Sequence, residues 1–194
     1  MDRLAELQRL IGTFAGILRV PKLAQQDRQE NDVEHSFGLA LTCWFLAPKI
    51  APHLNLEKIL IYALAHDIVE VHSGDTFAFD AEAVSQKADS EDQALRRLCS
   101  DWPDFSELTD AAAGYKEKRD AEARFVYTID KLLPSIMTKL DDDTKFWREH
   151  KVTREMHEVE KNAKMRHSPE AFLYLDLLNA WMAEPDHFYK PERG

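Results

Sequence analysis

The sequence predicts an all-α protein, a single domain over residues 1–194, and three observations lead there. Apolar residues recur at helical spacing almost from end to end. No segment carries the apolar–polar alternation of a half-buried strand. Only 6 Gly and 8 Pro occur in 194 residues, so no long flexible linker divides the chain. At 44% hydrophobic and 31% charged, the composition is that of an ordinary globular protein with enough chain to bury a sizeable core.

The elements follow in order. "LAELQRLIGTFAGIL" sets Leu4, Leu7, Ile11, Phe14 and Leu18 on one face of an amphipathic helix. "RVPKLAQQDRQEN" breaks the period at Pro21 and reads as a loop. A second helix opens at Asn31 or Asp32, both good N-caps, and runs through "VEHSFGLALTCWFLAPKI" until Pro48 or Pro52 disturbs it. A third covers "LEKILIYALAHDIVEV" and stops before "HSGD", where Gly74 marks a turn. After an irregular "TFAFD", residues 80–100 read as a charged helix, and "WPDFSELTD" restarts helical structure. "AEARFVYTIDKLLPSIM" is an apolar helix interrupted by one acid, Asp130. "TKFWREHKVTREMHEVEKNAKMRH" and "SPEAFLYLDLLNAWMAEPD" give two more, the last opening on Ser168 and Pro169.

The net charge of −10 argues against a nucleic-acid-binding surface. No apolar run approaches the ~20 residues needed to span a bilayer. The N-terminus scatters charges where a signal peptide would be apolar. Cys43 and Cys99 have no metal-type spacing and read as two buried thiols in a reducing compartment. A cytoplasmic protein is expected.

One stretch does not fit a packed core. "ALAHDIVEVHSGDT" gathers His66, Asp67, Glu70, His72 and Asp75 beside an apolar run. A charge facing a core is costly unless paired or bound to a metal. His35 and Asp130 interrupt two other apolar helices in the same way. Each has a plain alternative: His35 as a hydrogen-bonded core histidine, Asp130 as an ion-pair partner of Lys131 or Arg124. Together, two His and two Asp suit a borderline or hard divalent ion, such as Mn, Co, Mg, Fe or Zn, and leave coordination positions open for water and substrate.

"ENDVEHS", "ALAHDIVEVHSGD" and "ARFVYTIDKL" resemble, in that order, the H…HD…D signature of the HD-domain metal-dependent phosphohydrolases. Within them the chain looks most like the 5′-deoxynucleotidase branch. The resemblance implies a helical bundle of the HD type, with a motif core over about 15–135 and C-terminal helices over 143–184 packed on it. It also implies His35, His66, Asp67 and Asp130 as metal ligands. Glu70 and Asp75 would be the catalytic acids that orient or activate water and assist the leaving group. Arg19, at the end of the first helix, would clamp phosphate, with Lys87 and Glu91 as a further substrate-side pair. Alternatives stay open for several of these: a helix-end acid for Glu70, a turn residue for Asp75, a surface arginine for Arg19, and an i,i+4 ion pair for Lys87. The loop aromatic that the branch presses on the sugar is missing, since Val20 follows Arg19 and the loop has no Trp or Tyr.

The implied activity is metal-dependent hydrolysis of a phosphate monoester, a (deoxy)nucleoside 5′-monophosphate. Two alternatives stand beside it. One is the same site acting on another phosphorylated small molecule, such as a nucleoside triphosphate, a cyclic dinucleotide or an alarmone, although no second basic cluster is evident in the sequence. The other is a non-catalytic helical module stapled by a metal. The expected partner is a small phosphate ester, not a nucleic-acid polymer or a membrane. A homodimer is expected as the commonest oligomer, with Phe172, Leu173, Leu175, Leu178 and Trp181 serving either core or dimer face.

Overall fold

Asn31 starts the helix on which the fold is hung. Its side chain accepts from the Glu34 backbone N–H at 3.0 Å, and the Glu34 carboxylate accepts from the Asn31 N–H at 3.1 Å, a complete capping box. The computed structural model describes residues 1–23, 25–140, 145–183 and 187–191. The ends of the C-terminal segment expected over 143–184 lie outside the described residues at 143, 144 and 184.

In chain order the elements are α1 (Asp2–Ala15), β1 (Leu18–Lys22), β2 (Gln29–Asn31), α2 (Asp32–Ile50), α3 (Leu56–Ala65), α4 (Glu70–Ser73) and α5 (Ala81–Asp101). They continue as α6 (Ser106–Glu117), α7 (Ala121–Leu140), α8 (Phe146–Glu149), α9 (Arg154–Met165) and α10 (Pro169–Ala183). The all-α class holds. Helices α2, α3 and α7 pack on one another around Leu39, Ile59, Phe125, Val126 and Ile129, all fully buried. The helices α9 and α10 pack on α7 from the other side. At Gly114 a Cβ would fall 2.7 Å from the Tyr62 hydroxyl, so this glycine lets α6 press close to α3.

Four local expectations change. First, residues 19–22 and 29–31 of the expected loop are strand. They form a two-stranded antiparallel ribbon, β1 on β2, with an irregular register between Leu18↔Asn31 and Lys22↔Gln29. In a two-stranded ribbon both strands are edges, which is why Pro21 is tolerated there. Arg19 therefore sits on β1, beyond the end of α1, and Leu18 is exposed instead of closing the first helical face.

Second, the third helix is broken. The α3 helix ends at Ala65, and residues 66–69 form tight turns before α4 resumes. Gly74, at φ +74°, then ends α4. Third, the segment after α7 splits into α8 and α9 instead of running as one helix, with Lys151 at φ +53° in the break. Fourth, Cys43 is buried but Cys99 is exposed, because α5 turns that position outward. Of the residues proposed for core or dimer face, Leu175 and Leu178 are core, while Leu173 and Trp181 are exposed. Among the described residues, no helix is long and apolar enough to cross a membrane.

Candidate metal centre and active site

Three mutually packed helices each deliver part of the site. On α2, His35 follows the cap by one turn and points inward. His66 and Asp67 fall in the break between α3 and α4. Regular helix would splay neighbours about 100° apart. Here Ile68 N–H bonds to Ala65 C=O and Glu70 N–H to Asp67 C=O, an i→i+3 pattern that tightens the turn. The α7 helix brings Asp130, fully buried.

His35, His66 and Asp130 converge within 4.8 Å of one another, and Asp67, grouped with Asp32 and Glu70, adjoins them through His66. His35 Nε2 lies 3.0 Å from Asp130 Oδ1, His66 Nε2 lies 2.9 Å from Asp67 Oδ2, and His66 Nε2 lies 3.9 Å from Asp130 Oδ1. Donors bound about 2.1 Å from one ion at right angles stand about 3 Å apart. The spacing thus fits a shared cation. His66 supplies a second indication. Its Nδ1 donates to the Ala63 carbonyl at 2.9 Å, which turns Nε2 towards the carboxylates. That atom is buried, makes no hydrogen bond, and faces carboxylate oxygens. Two imidazoles and two carboxylates brought together in a buried space are the donor set of a borderline or hard divalent ion. These residues therefore fit a divalent ion.

Around them lies a set of supports, of which the sequence singled out Lys131 alone. Glu30 on β2 places Oε2 3.2 Å from His35 Nδ1. A carboxylate behind a ligating imidazole fixes its ring orientation and raises its basicity. Tyr115 donates its hydroxyl to Asp130 Oδ2 at 2.6 Å, and Lys131 ion-pairs with the same oxygen. Lys131 is thus the Asp130 partner; Arg124 instead donates to the Lys118 carbonyl at 3.2 Å. Burial pushes the Asp130 carboxyl up, but Lys131 and His35 hold it well below the usual range. Burial and Arg19 push His35 down, yet its hydrogen bonds to Asp130 and Glu30 carry it to about 9. The pocket is thus tuned to hold positive charge among its carboxylates.

Arg19 is no surface residue. It is 7% exposed, with Nη1 2.9 Å from Asp67 Oδ2 and 3.3 Å from Asp32 Oδ1, and Nε 3.6 Å from Glu30. Burial lowers its pKa, but Asp67, Asp75, Asp130 and Glu70 raise it further, so it stays charged. Its Nη2 makes none of those contacts. Asp32 is fully buried and pushed up to about 6, by burial first and then by Asp67. Asp32, Asp67 and Glu70 crowd together within 4.8 Å, and the Arg19 guanidinium already balances the first two.

Glu70 is buried at 3% exposure rather than solvated at a helix end. Burial, then Asp67 and Asp75, raise its pKa well above the carboxylate range, and one oxygen has no hydrogen-bond partner. Lys87 reaches both ways, 3.8 Å from Glu70 and 3.2 Å from Glu91, so the surface ion pair and the site contact coexist. Asp75 lies beyond the Gly74 turn and lines the same cavity as Arg19, Asp67, Glu70 and Lys87. His72 does not: it stands 3.6 Å from Asp101 at the end of α5.

The cavity holds about 280 Å³. Its wall includes the "TFAF" segment, docked on α8 through Phe77 against Phe146 (6.2 Å between ring centroids) and Phe79 against Trp147 (6.0 Å).

With this geometry in view, the comparisons are consistent. The HD domain family profile matches residues 16–172, and the chain belongs to the HD domain family. The crystal structure of a predicted metal-dependent phosphohydrolase from Magnetospirillum magnetotacticum superposes with a TM-score of 0.81 at 27% identity, covering 97% of this chain and 96% of that one. A 5′-deoxynucleotidase, HDDC2, from Xenopus laevis is 26% identical over 130 residues, which is 66% of this chain. The match spans 63% of the length of that relative.

Proposed function

We propose that the chain is a metal-dependent phosphomonoesterase that releases phosphate from nucleoside 5′-monophosphates, with ribose and deoxyribose both accepted. One observation carries the reading: His35 from α2, His66 from the turn after α3 and Asp130 from α7 converge within 4.8 Å of one another, with Asp67 against His66 and the buried His66 Nε2 making no hydrogen bond. The similarity to a 5′-deoxynucleotidase and to a metal-dependent phosphohydrolase supports the substrate class.

His35, His66, Asp67 and Asp130 would hold the ion. When bound, the ion polarises the phosphoryl oxygen and lowers the pKa of water from 15.7 towards ~7. The remaining work falls to the chain. Arg19 and Lys87 bind and orient the phosphate oxygens, and the Arg19 geometry is set by Glu30, Asp32 and Asp67. Asp75 accepts the proton of the attacking water. Glu70, held protonated by burial and by its acidic neighbours, delivers its proton to the departing sugar oxygen as the P–O bond breaks. Val20 is packed against the aromatic cluster of Phe146 and Trp147, and no ring follows Arg19 to exclude a 2′-hydroxyl.

The test is to strip the purified protein with a chelator and refill it with Mn²⁺, Co²⁺, Mg²⁺, Fe²⁺ or Zn²⁺. Phosphate release is then assayed on paired ribo- and deoxyribonucleoside 5′-monophosphates. Ion-dependent release from both sugars, abolished in His66→Ala, is expected. Release that survives chelation, or that continues in His66→Ala, overturns the reading.

A further inference from the structure

The cavity that holds the metal-end carboxylates is also lined by Lys87, Lys116, Lys118, Lys131, Lys161 and Lys164, in a chain whose net charge is −10. Like charges gathered in one concavity repel one another unless something anionic compensates them. The compensation inside the protein is incomplete. Lys131 is paired with Asp130, while Lys161 and Lys164 share the single carboxylate of Glu160, at 3.4 and 2.7 Å. Among the described residues, no carboxylate lies within salt-bridge distance of Lys118. Burial lowers the Lys118 pKa first, then Lys131, partly offset by Glu91, and Lys164 adds to the lowering.

Lys118 is also an unexpected residue for its place. It ends α6 in the left-handed conformation, φ 51° and ψ 43°, where helices usually put glycine. A lysine there carries a backbone cost that glycine does not. Its ammonium stands 4.5 Å from the centroid of the Tyr127 ring, and that of Lys131 stands 5.3 Å from the same ring. Tyr127 in turn packs 6.0 Å from Tyr115, the residue hydrogen-bonded to Asp130. The basic end is thus two aromatic rings from the metal centre, within one cavity.

We propose that Lys118 and Lys131 on the Tyr127 ring, with Lys164 in the same cavity wall, form a second anion subsite. The substrate is then a phosphate monoester carrying a second phosphate group, of the nucleoside bisphosphate kind, with one phosphate cleaved at the metal end and the other held by the lysines. This rests on the reading of the metal end as a phosphoester site. It also revises the expectation that no second basic cluster exists: the lysines come from three helices and meet only in the fold.

The experiment compares adenosine 3′,5′-bisphosphate with adenosine 5′-monophosphate on the full chain. Calorimetry on chelated protein reads affinity, and phosphate release from the ion-loaded protein reads kcat/KM. Two charge-assisted hydrogen bonds predict that the bisphosphate binds at least about tenfold more tightly. In Lys118→Gly with Lys164→Met that ratio falls towards one. Lys118→Gly relieves the left-handed backbone, so the melting temperature is maintained and lost affinity is not lost folding. Equal affinities in the wild type, or a ratio unchanged by the substitutions, overturns the subsite. Turnover of the monophosphate without bisphosphate preference overturns the subsite alone. Lysine-dependent bisphosphate binding with no phosphate release from either compound supports the subsite and overturns the hydrolase reading.

Discussion

The two ends of one cavity are built by opposite strategies. At the metal end, each donor is fixed by a buried partner: Glu30 behind His35, Ala63 behind His66, Arg19 on Asp67, and Tyr115 and Lys131 on Asp130. Such a constellation is over-determined and pre-organised, as an ion with fixed bond lengths requires. At the lysine end the charges sit on long, partly exposed stems, steadied by an aromatic ring and one shared carboxylate. That arrangement suits a phosphate that must enter and leave. Rigid placement at one end and adaptable charge at the other is how a single concavity can both hold an ion and select a small anion.

Perturbing Glu70, the proposed catalytic acid, should give the largest effect on this contrast. Glu70→Gln keeps the shape but removes the proton that Glu70 is proposed to deliver. A fall of about 10²–10⁴-fold in kcat is expected, with little change in bound metal. Steady-state kinetics alongside metal analysis checks it, and unaltered turnover would remove Glu70 from the mechanism.

A smaller effect is expected from the supports. Glu30→Gln leaves all four donors in place and weakens the orientation of His35, along with the ion pair to Arg19. Metal affinity should drop by roughly 10–100-fold, and saturating ion should restore most of the turnover. Competition with a fluorescent chelator measures this directly. If affinity is unchanged, the His35–Glu30 contact is mere packing and the metal end is less rigidly organised than described.

The same contrast explains what was legible in the sequence. His35, His66, Asp67 and Asp130 could be read because each is an ionisable residue interrupting an apolar helical pattern, and their order along the chain is itself a signal. The capping residue Asn31 and the Ser168–Pro169 start were equally readable, since caps are local chemistry. Arg19 had the right residue type but the wrong setting. A five-residue strand containing proline and pairing with three residues leaves no period to detect, so the ribbon that buries the guanidinium beside Glu30 was invisible. Glu30 itself lay inside a quoted motif and still had no assigned task, because its contact with His35 depends on the ribbon. The split of the third helix was hidden by continuous apolar spacing across Ala65–Val69. The lysine end was hardest. Lys118, Lys131 and Lys164 are scattered across α6, α7 and α9, each an unremarkable surface residue by pattern, and only the packing of α9 on α7 brings them together.

The central claim is that His35, His66, Asp67 and Asp130 enclose one divalent cation. The most direct test is a crystal grown with Mn²⁺ and measured for anomalous scattering. One strong peak per chain, within bonding distance of both histidine Nε2 atoms and of an oxygen from each of the two aspartates, is the predicted result. A crystal with no peak there, or with the ion seated only between Asp32 and Glu70, would contradict it.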